Sequence, residues 1–269
     1  VVVGDHESGT GWVFALDETD DETGGATLAS TLSLEGPARV YAGLHGRYAY
    51  LVQRASDRVD VLDSGLVFES HVDHYHIDRR EPSMTDMRFE GAAPTHFVHH
   101  DGWAAVFYDG SGEVDVLQER TLSAGAPDVQ RLTTGPAHHG VALAARGHVF
   151  ATIASDGERL PDRVGIWPVN GLEAAPETTA APCPGLHGVA TAGEHVLFGC
   201  SDGVLAIEDH GDHFDTRKID APAGTPEGTR VGRLAAHAEQ PVFVGNWGQE
   251  GFALVDPAAG TITPVATDE

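Results

Sequence analysis

His195-Val-Leu-Phe-Gly-Cys200, followed across Ser201-Asp202-Gly203 by Val204-Leu-Ala-Ile-Glu208, decides how the chain folds. Two apolar runs this short, with turn residues between them, read as an antiparallel pair of strands rather than a helix. The pair recurs. Arg47-Tyr-Ala-Tyr-Leu-Val52, Trp103-Ala-Ala-Val-Phe-Tyr108, His148-Val-Phe-Ala-Thr-Ile153 and Pro241-Val-Phe-Val-Gly-Asn246 take the first position, so that the five runs start 56, 45, 47 and 46 residues apart. Val59-Asp-Val-Leu-Asp-Ser64, Val114-Asp-Val-Leu-Gln118, Val164-Gly-Ile-Trp-Pro168 and Phe252-Ala-Leu-Val-Asp-Pro257 take the second. A short strand enters each unit, as in Gly140-Val-Ala-Leu-Ala144 and Gly188-Val-Ala-Thr-Ala192.

Three to four antiparallel strands repeating about every 45 residues are the mark of a β-propeller blade, an architecture that protects sheet edges by radial repetition. The expectation is an all-β chain, one propeller domain over residues 1–269, with about five full four-stranded blades after residue 36 and a partial N-terminal blade. The first 35 residues supply three outer strands of that partial blade, with Val13-Phe-Ala-Leu-Asp17 in the third position. The chain ends at Thr267-Asp-Glu269 just after what reads as an outer strand, so either closure is unusual or the ring lacks C-terminal blades, and the second is the expectation.

Composition narrows the function classes. With 41% hydrophobic and 21% charged residues the chain is ordinary globular material. Its formal charge of −25 repels phosphate backbones and anionic lipid, which argues against nucleic acid and membrane surfaces as partners. No run approaches the roughly 18–20 apolar residues of a membrane span, and the N-terminal residues lack the layout of a signal peptide. Sixteen histidines in an acidic chain direct attention to metal cations, although acidity alone also fits a salt-adapted source.

In a propeller, residues at equivalent starts of the inner strands converge on the axis. Aligning Pro94-Thr-His96-Phe-Val98, Ala137-His-His139-Gly-Val141 and Gly185-Leu-His187-Gly-Val189 puts His96, His139 and His187 at one register in three consecutive blades. Three imidazoles around one axis suit zinc, whose tetrahedral shell is completed by a carboxylate, a thiolate or water. His138, His99, His100 and Asp101 are candidates for the fourth ligand or for hydrogen bonds that fix an imidazole tautomer. The competing reading of any one of these histidines is a polar channel-lining residue.

A denser cluster, His71-Val-Asp73-His74-Tyr-His76-Ile-Asp78, lies in an insertion near residues 71–82 that lengthens the second blade. Alternation places His74, His76 and Asp78 on one side of an extended segment, a layout suited to capturing or handing over a metal. The competing reading is a solvated acidic loop. Asp209-His-Gly-Asp-His213 has weak metal spacing, and solvent exposure accounts for its histidines.

Cys183 precedes one inner strand and Cys200 ends the next, with a turn at Ala192-Gly193-Glu194 halfway between, so the two can face each other. A disulfide in an oxidising compartment is favoured; the alternative is Cys183 as a thiolate ligand four residues before His187. The enzyme motifs sought are absent: no Gly-x-Ser-x-Gly elbow, phosphate-binding loop, His-Glu-x-x-His or dinucleotide fingerprint. The chain reads as a non-enzyme; a metal-free interaction propeller and a metal-dependent hydrolase or lactonase are the alternatives.

Pro94-Thr-His-Phe-Val-His-His100, Ala137-His-His-Gly-Val-Ala142, Cys183-Pro-Gly-Leu-His-Gly188, the His71-to-Asp78 segment and Phe243-Val-Gly-Asn-Trp-Gly248 together resemble the AztD family of periplasmic zinc metallochaperones. The resemblance runs from about Val13 to Pro257. It implies a propeller that binds zinc and delivers it to the solute-binding protein of an ABC-type zinc importer outside the cytoplasm. It further implies a tight site at His96, His139 and His187, with His71, Asp73, His74, His76 and Asp78 as a transfer arm. Family members continue with further blades, and they carry a His-Asp-His run in the loop and commonly a His where this chain has Asp101.

Overall fold

The computed structural model describes residues 1–16, 25–70, 75–155, 160–248 and 251–265. A three-stranded sheet comes first, β1 (Val2–Gly4), β2 (Thr10–Leu16) and β3 (Ala26–Ser33), with Val13 on its middle strand. Next comes a four-stranded sheet of β4 (Arg39–Gly43), β5 (Tyr48–Gln53) and β6 (Arg58–Asp63), closed by β9 (Ser83–Glu90). Between its third and fourth strands a separate hairpin emerges, β7 (Leu66–Ser70) and β8 (Tyr75–Arg79).

The next sheets are simple antiparallel meanders. They are β10 (Pro94–His100), β11 (Trp103–Tyr108), β12 (Glu113–Gln118) and β13 (Val129–Thr133); then β14 (Ala142–Ala145), β15 (His148–Ile153), β16 (Arg163–Pro168) and β17 (Glu177–Thr178). Two more follow: β18 (His187–Ala192), β19 (His195–Cys200), β20 (Gly203–Asp209) and β21 (Phe214–Asp220); and β22 (Leu234–Ala235), β23 (Phe243–Trp247), β24 (Gly251–Asp256) and β25 (Thr261–Val265). The fold class is all-β of propeller type, and the paired runs read from the sequence are the second and third strands of their sheets.

The chain forms two compact units, residues 1–111 with 115–130, and residues 112–114 with 131–269. In the first, Tyr48, Tyr50, Val59, Val106 and Tyr108 are core residues; in the second, Leu197, Val204, Val231, Phe243 and Val255 are. From β5 to β20 the second and third strands of the four-stranded sheets are covered on both faces, which is why β5 is buried at all six positions and reads, up to Gln53, as a continuous apolar run rather than an alternating one; in the last sheet Val244 on β23 and Phe252 and Leu254 on β24 are exposed. The fourth strand β9 covers only one face, with Thr85, Met87 and Phe89 turned inward between exposed neighbours, and there the period of two is visible. Among the described residues no helix is long and apolar enough to cross a membrane.

The segment near residues 71–82, expected as a loop insertion, overlaps the β7–β8 hairpin, which starts earlier, with Leu66 opposite Arg79 and Val67 opposite Asp78. His76 and Asp78 lie on β8, both exposed and, by the two-residue period, on one face. His71, Asp73 and His74 lie outside the described residues.

Candidate metal centre

His187 opens β18, where the pairing slips: His187 stands opposite Gly199 and Val189 opposite Phe198, leaving Gly188 as a bulge. Gly188 has φ +73°, and a Cβ there would lie 2.6 Å from the Gly232 carbonyl oxygen. Gly199 is equally constrained, since a Cβ would meet the Val231 carbonyl oxygen at 2.2 Å. Two glycines therefore let the 231–233 backbone press against the start of β18. That contact positions the imidazole: the His187 Nδ1–H donates to the Gly232 carbonyl oxygen at 2.6 Å. A carbonyl only accepts, so the proton sits on Nδ1 and Nε2 keeps its lone pair, the arrangement found around metal-binding histidines.

The 231–233 segment is itself held. Asn246 on β23 accepts the Gly232 and Arg233 N–H groups on Oδ1, at 2.8 and 2.7 Å, and its Nδ2 donates to the Gly248 carbonyl at 2.7 Å. The Cys183–Cys200 disulfide, with Cα atoms 5.1 Å apart, ties the chain before His187 to the end of β19, and the Cys200 carbonyl accepts the Val231 N–H. With both sulfurs bonded to each other, Cys183 is no thiolate ligand.

His139 lies just ahead of β14, and its Nε2 is 3.1 Å from the Nε2 of His187, with the half-buried rings stacked at 5.1 Å between centroids. Two imidazole nitrogens this close need one of two things between them: a proton donated by one ring to the other, or a cation that takes both lone pairs. Zinc–nitrogen bonds of about 2.0–2.1 Å in a tetrahedral shell place ligand atoms roughly 3.3 Å apart, so the pair fits two corners of such a shell. Burial holds His187 below the usual imidazole range, against the opposing hydrogen bond to Gly232, and the charges of His139, Arg230 and Arg233 push the same way as burial. A neutral imidazole is the form that ligates.

The neighbouring candidates play other parts. His138 is buried, and its Nδ1 lies 2.9 Å from the Pro136 carbonyl oxygen and its Nε2 3.3 Å from Thr152 Oγ1. With both nitrogens engaged it braces the segment that carries His139 rather than offering a fourth ligand. His96 is half-buried on β10, also beside a bulge, because Pro94 pairs with Tyr108 and His96 with Phe107. His99, His100 and Asp101 do not gather around it. At about 3.3 Å per residue, His100 is some 13 Å further along the strand, and side chains stand off a sheet roughly parallel to one another. Asp101 is exposed at φ +45° in the following turn.

His99 instead pairs with Glu119 at 2.6 Å. That carboxylate is fully buried and also accepts the Tyr50 hydroxyl at 2.9 Å and the Leu44 N–H at 3.2 Å, which makes it a structural anchor of the first unit. Burial beside this carboxylate pushes the Tyr50 phenol up, with desolvation the larger cause.

Sequence reasoning missed Asn246 and Gly232. The available signal was the run Phe243-Val-Gly-Asn-Trp-Gly248, in which an Asn inside an apolar strand asks for hydrogen-bond partners.

No family model matches the chain. It is 29% identical over 237 residues to the zinc chaperone AztD of Citrobacter koseri, an alignment covering 88% of this chain and 56% of that protein. The chain therefore spans little more than half the length of this curated relative. A crystal structure of Citrobacter koseri AztD superposes with a TM-score of 0.84 at 25% identity, covering 98% of this chain and 68% of the other. The structure of apo AztD from the same organism gives 0.83 at 24% identity, covering 98% and 69%. In sequence over most of its length, and in fold over nearly all of it, this chain is similar to the zinc chaperone AztD.

Proposed function

We propose that the chain is a zinc-binding metallochaperone rather than an enzyme, with His139 and His187 as two ligands and His96 as the third. The observation that carries the reading is the 3.1 Å approach of two Nε2 atoms, one of them held in its ligating tautomer by the Gly232 carbonyl. His96 is added on register: it precedes its blade's second strand as His187 does, beside a bulge of the same kind. The zinc is cargo, passed to the solute-binding protein of an ABC-type zinc importer. His71, Asp73, His74, His76 and Asp78 form the transfer arm, an assignment supported by the exposure of His76 and Asp78 on a hairpin that makes a two-stranded sheet of its own. The disulfide supports a periplasmic or otherwise extracytoplasmic location, since such bonds persist in oxidising compartments. The similarity to a named zinc chaperone supports the metal and the role.

The test is zinc content and competition titration against a chromophoric chelator, wild type beside His96→Ala/His139→Ala. Stoichiometric tight zinc lost in the double variant is the expected result. An intact, folded wild-type chain that takes up no stoichiometric zinc would return these histidines to lining a channel and leave a metal-free interaction module.

A further inference from the structure

Asp209-His210-Gly211-Asp212-His213 reads weakly as a metal motif because its linear spacing resembles no known ligand pattern. The strand register changes that reading. These residues form the turn between β20 and β21, in which Asp209 pairs with Phe214 and Glu208 with Asp215. Residues two apart share a face, as do directly opposed residues, so the turn brings Glu208, His210, His213 and Asp215 to one side of the hairpin. The side chains meet there: His210 Nε2 is 3.3 Å from Asp215 Oδ2 and 3.8 Å from Glu208 Oε1, and the His210 and His213 rings stack at 4.7 Å. One ligand atom each from His210, His213 and Asp215 lies within 4.8 Å of the others.

The turn is also braced. Asp209 accepts the Gly211 N–H at 2.7 Å and the Arg146 guanidinium at 2.7 Å, while the His210 N–H donates to the His213 carbonyl. Phe214, next along, sits edge-on against His148 and Phe150. Outside the ring of donors, Asp212 Oδ1 takes the Nδ1–H of His213 at 2.7 Å. A carboxylate on Nδ1 turns Nε2 into the ligating nitrogen, the partner that metal-bound histidines commonly have.

We propose that His210, His213 and Asp215, with Glu208 alongside, form a second and exposed site for a zinc-class divalent cation, separate from the His139–His187 pair. Two imidazoles and a carboxylate suit zinc and its transition-metal neighbours, whereas calcium and magnesium take oxygen shells. The 3.3 Å between His210 and Asp215 is the edge of a tetrahedral zinc shell. Solvent exposure of all three ligands makes this the weaker and faster-exchanging site.

The experiment titrates Zn²⁺ into the metal-free chain by calorimetry, in a His139→Ala/His187→Ala background that silences the pair. The same titration is run with His210→Asn/His213→Asn added. The expected result is the loss of one equivalent of zinc on adding these substitutions, at unchanged far-ultraviolet circular dichroism. In a separate arm Asp215→Asn weakens that equivalent about tenfold, and millimolar Ca²⁺ leaves it in place. Because both proteins carry the same β7–β8 hairpin, zinc held there cancels in the comparison. Identical stoichiometry and affinity in the two proteins, or displacement of the equivalent by Ca²⁺, overturns the proposal. Neither result bears on the zinc pair, whose own test uses other substitutions.

Discussion

Asn246 reaches His187 only through the Gly232 backbone, yet on the proposed function zinc affinity should depend on it. Its Oδ1 holds the Gly232 and Arg233 N–H groups, and the Gly232 carbonyl holds the His187 Nδ1–H. Asn246→Ala removes three hydrogen bonds, the third being Nδ2–H to the Gly248 carbonyl. At a net ~1 kcal/mol each, with the freed N–H groups partly rehydrated, the second unit should lose about 2 kcal/mol of stability. Removing the group that orients a ligating histidine typically weakens metal binding 10–100-fold, and one step further out the low end applies, about tenfold or ~1.4 kcal/mol. Competition with a chromophoric chelator measures the affinity, and denaturant unfolding measures the stability. The decisive arm is a double-mutant cycle: with His187 already Ala, Asn246→Ala should leave the residual affinity unchanged while still lowering stability. Asn246→Asp, which keeps the acceptor and loses the donor to Gly248, should fall between. An equal affinity loss in both backgrounds would refute the route through Gly232.

Replacing Cys183 and Cys200 by Ser releases a cross-link of sequence separation 17, and should lower stability by about 3 kcal/mol and loosen zinc binding; unfolding with and without reductant, in wild type and variant, checks it. Glu119→Ala strips partners from Tyr50, Leu44 and His99 in a fully buried place and should destabilise the first unit by about 3 kcal/mol, read as a lowered denaturation midpoint with zinc affinity unmoved. His187 has a lowered pKa in the fold, so the unfolded chain takes up its proton first as pH falls, near the ordinary value of 6.5. Stability of the zinc-free chain should therefore be flat above about pH 7, decline as pH drops below 6.5, and level off once the folded form is also protonated; His187→Gln should flatten that slope. Zinc affinity should fall over the same acid range, because protons and metal compete for Nε2.

The fold was legible because each blade repeats a pattern that solvent exclusion imposes. Middle strands such as β5 and β19 must be apolar through their centres, and the turns between them must carry Gly, Asp or Asn, so a 45-residue period survives where the described residues hold only three short 3-10 turns of helix. The register of His139 and His187 was legible for the same reason, since His187 opens the first strand of its sheet and His139 stands just ahead of the first strand of the preceding one. The disulfide was half legible: opposed positions across a turn allow the bond, but only the sulfur–sulfur bond itself excludes the thiolate alternative.

What the repeat hides is contact between residues that no period relates. His99 is only three residues from His96 in sequence, yet on a strand three residues are about 10 Å and opposite faces, and its partner is Glu119, twenty positions on. Asn246 serves His187 through a segment, residues 230–233, that has almost no regular structure and therefore no pattern to read. The β20–β21 turn gives the sharpest case. Judged by linear spacing its histidines are ordinary surface residues, whereas hairpin pairing folds positions 208, 210, 213 and 215 onto one face. In a β protein, ligand sets are thus written in cross-strand register: a spacing that looks wrong along the chain is right whenever the turn lies between its halves.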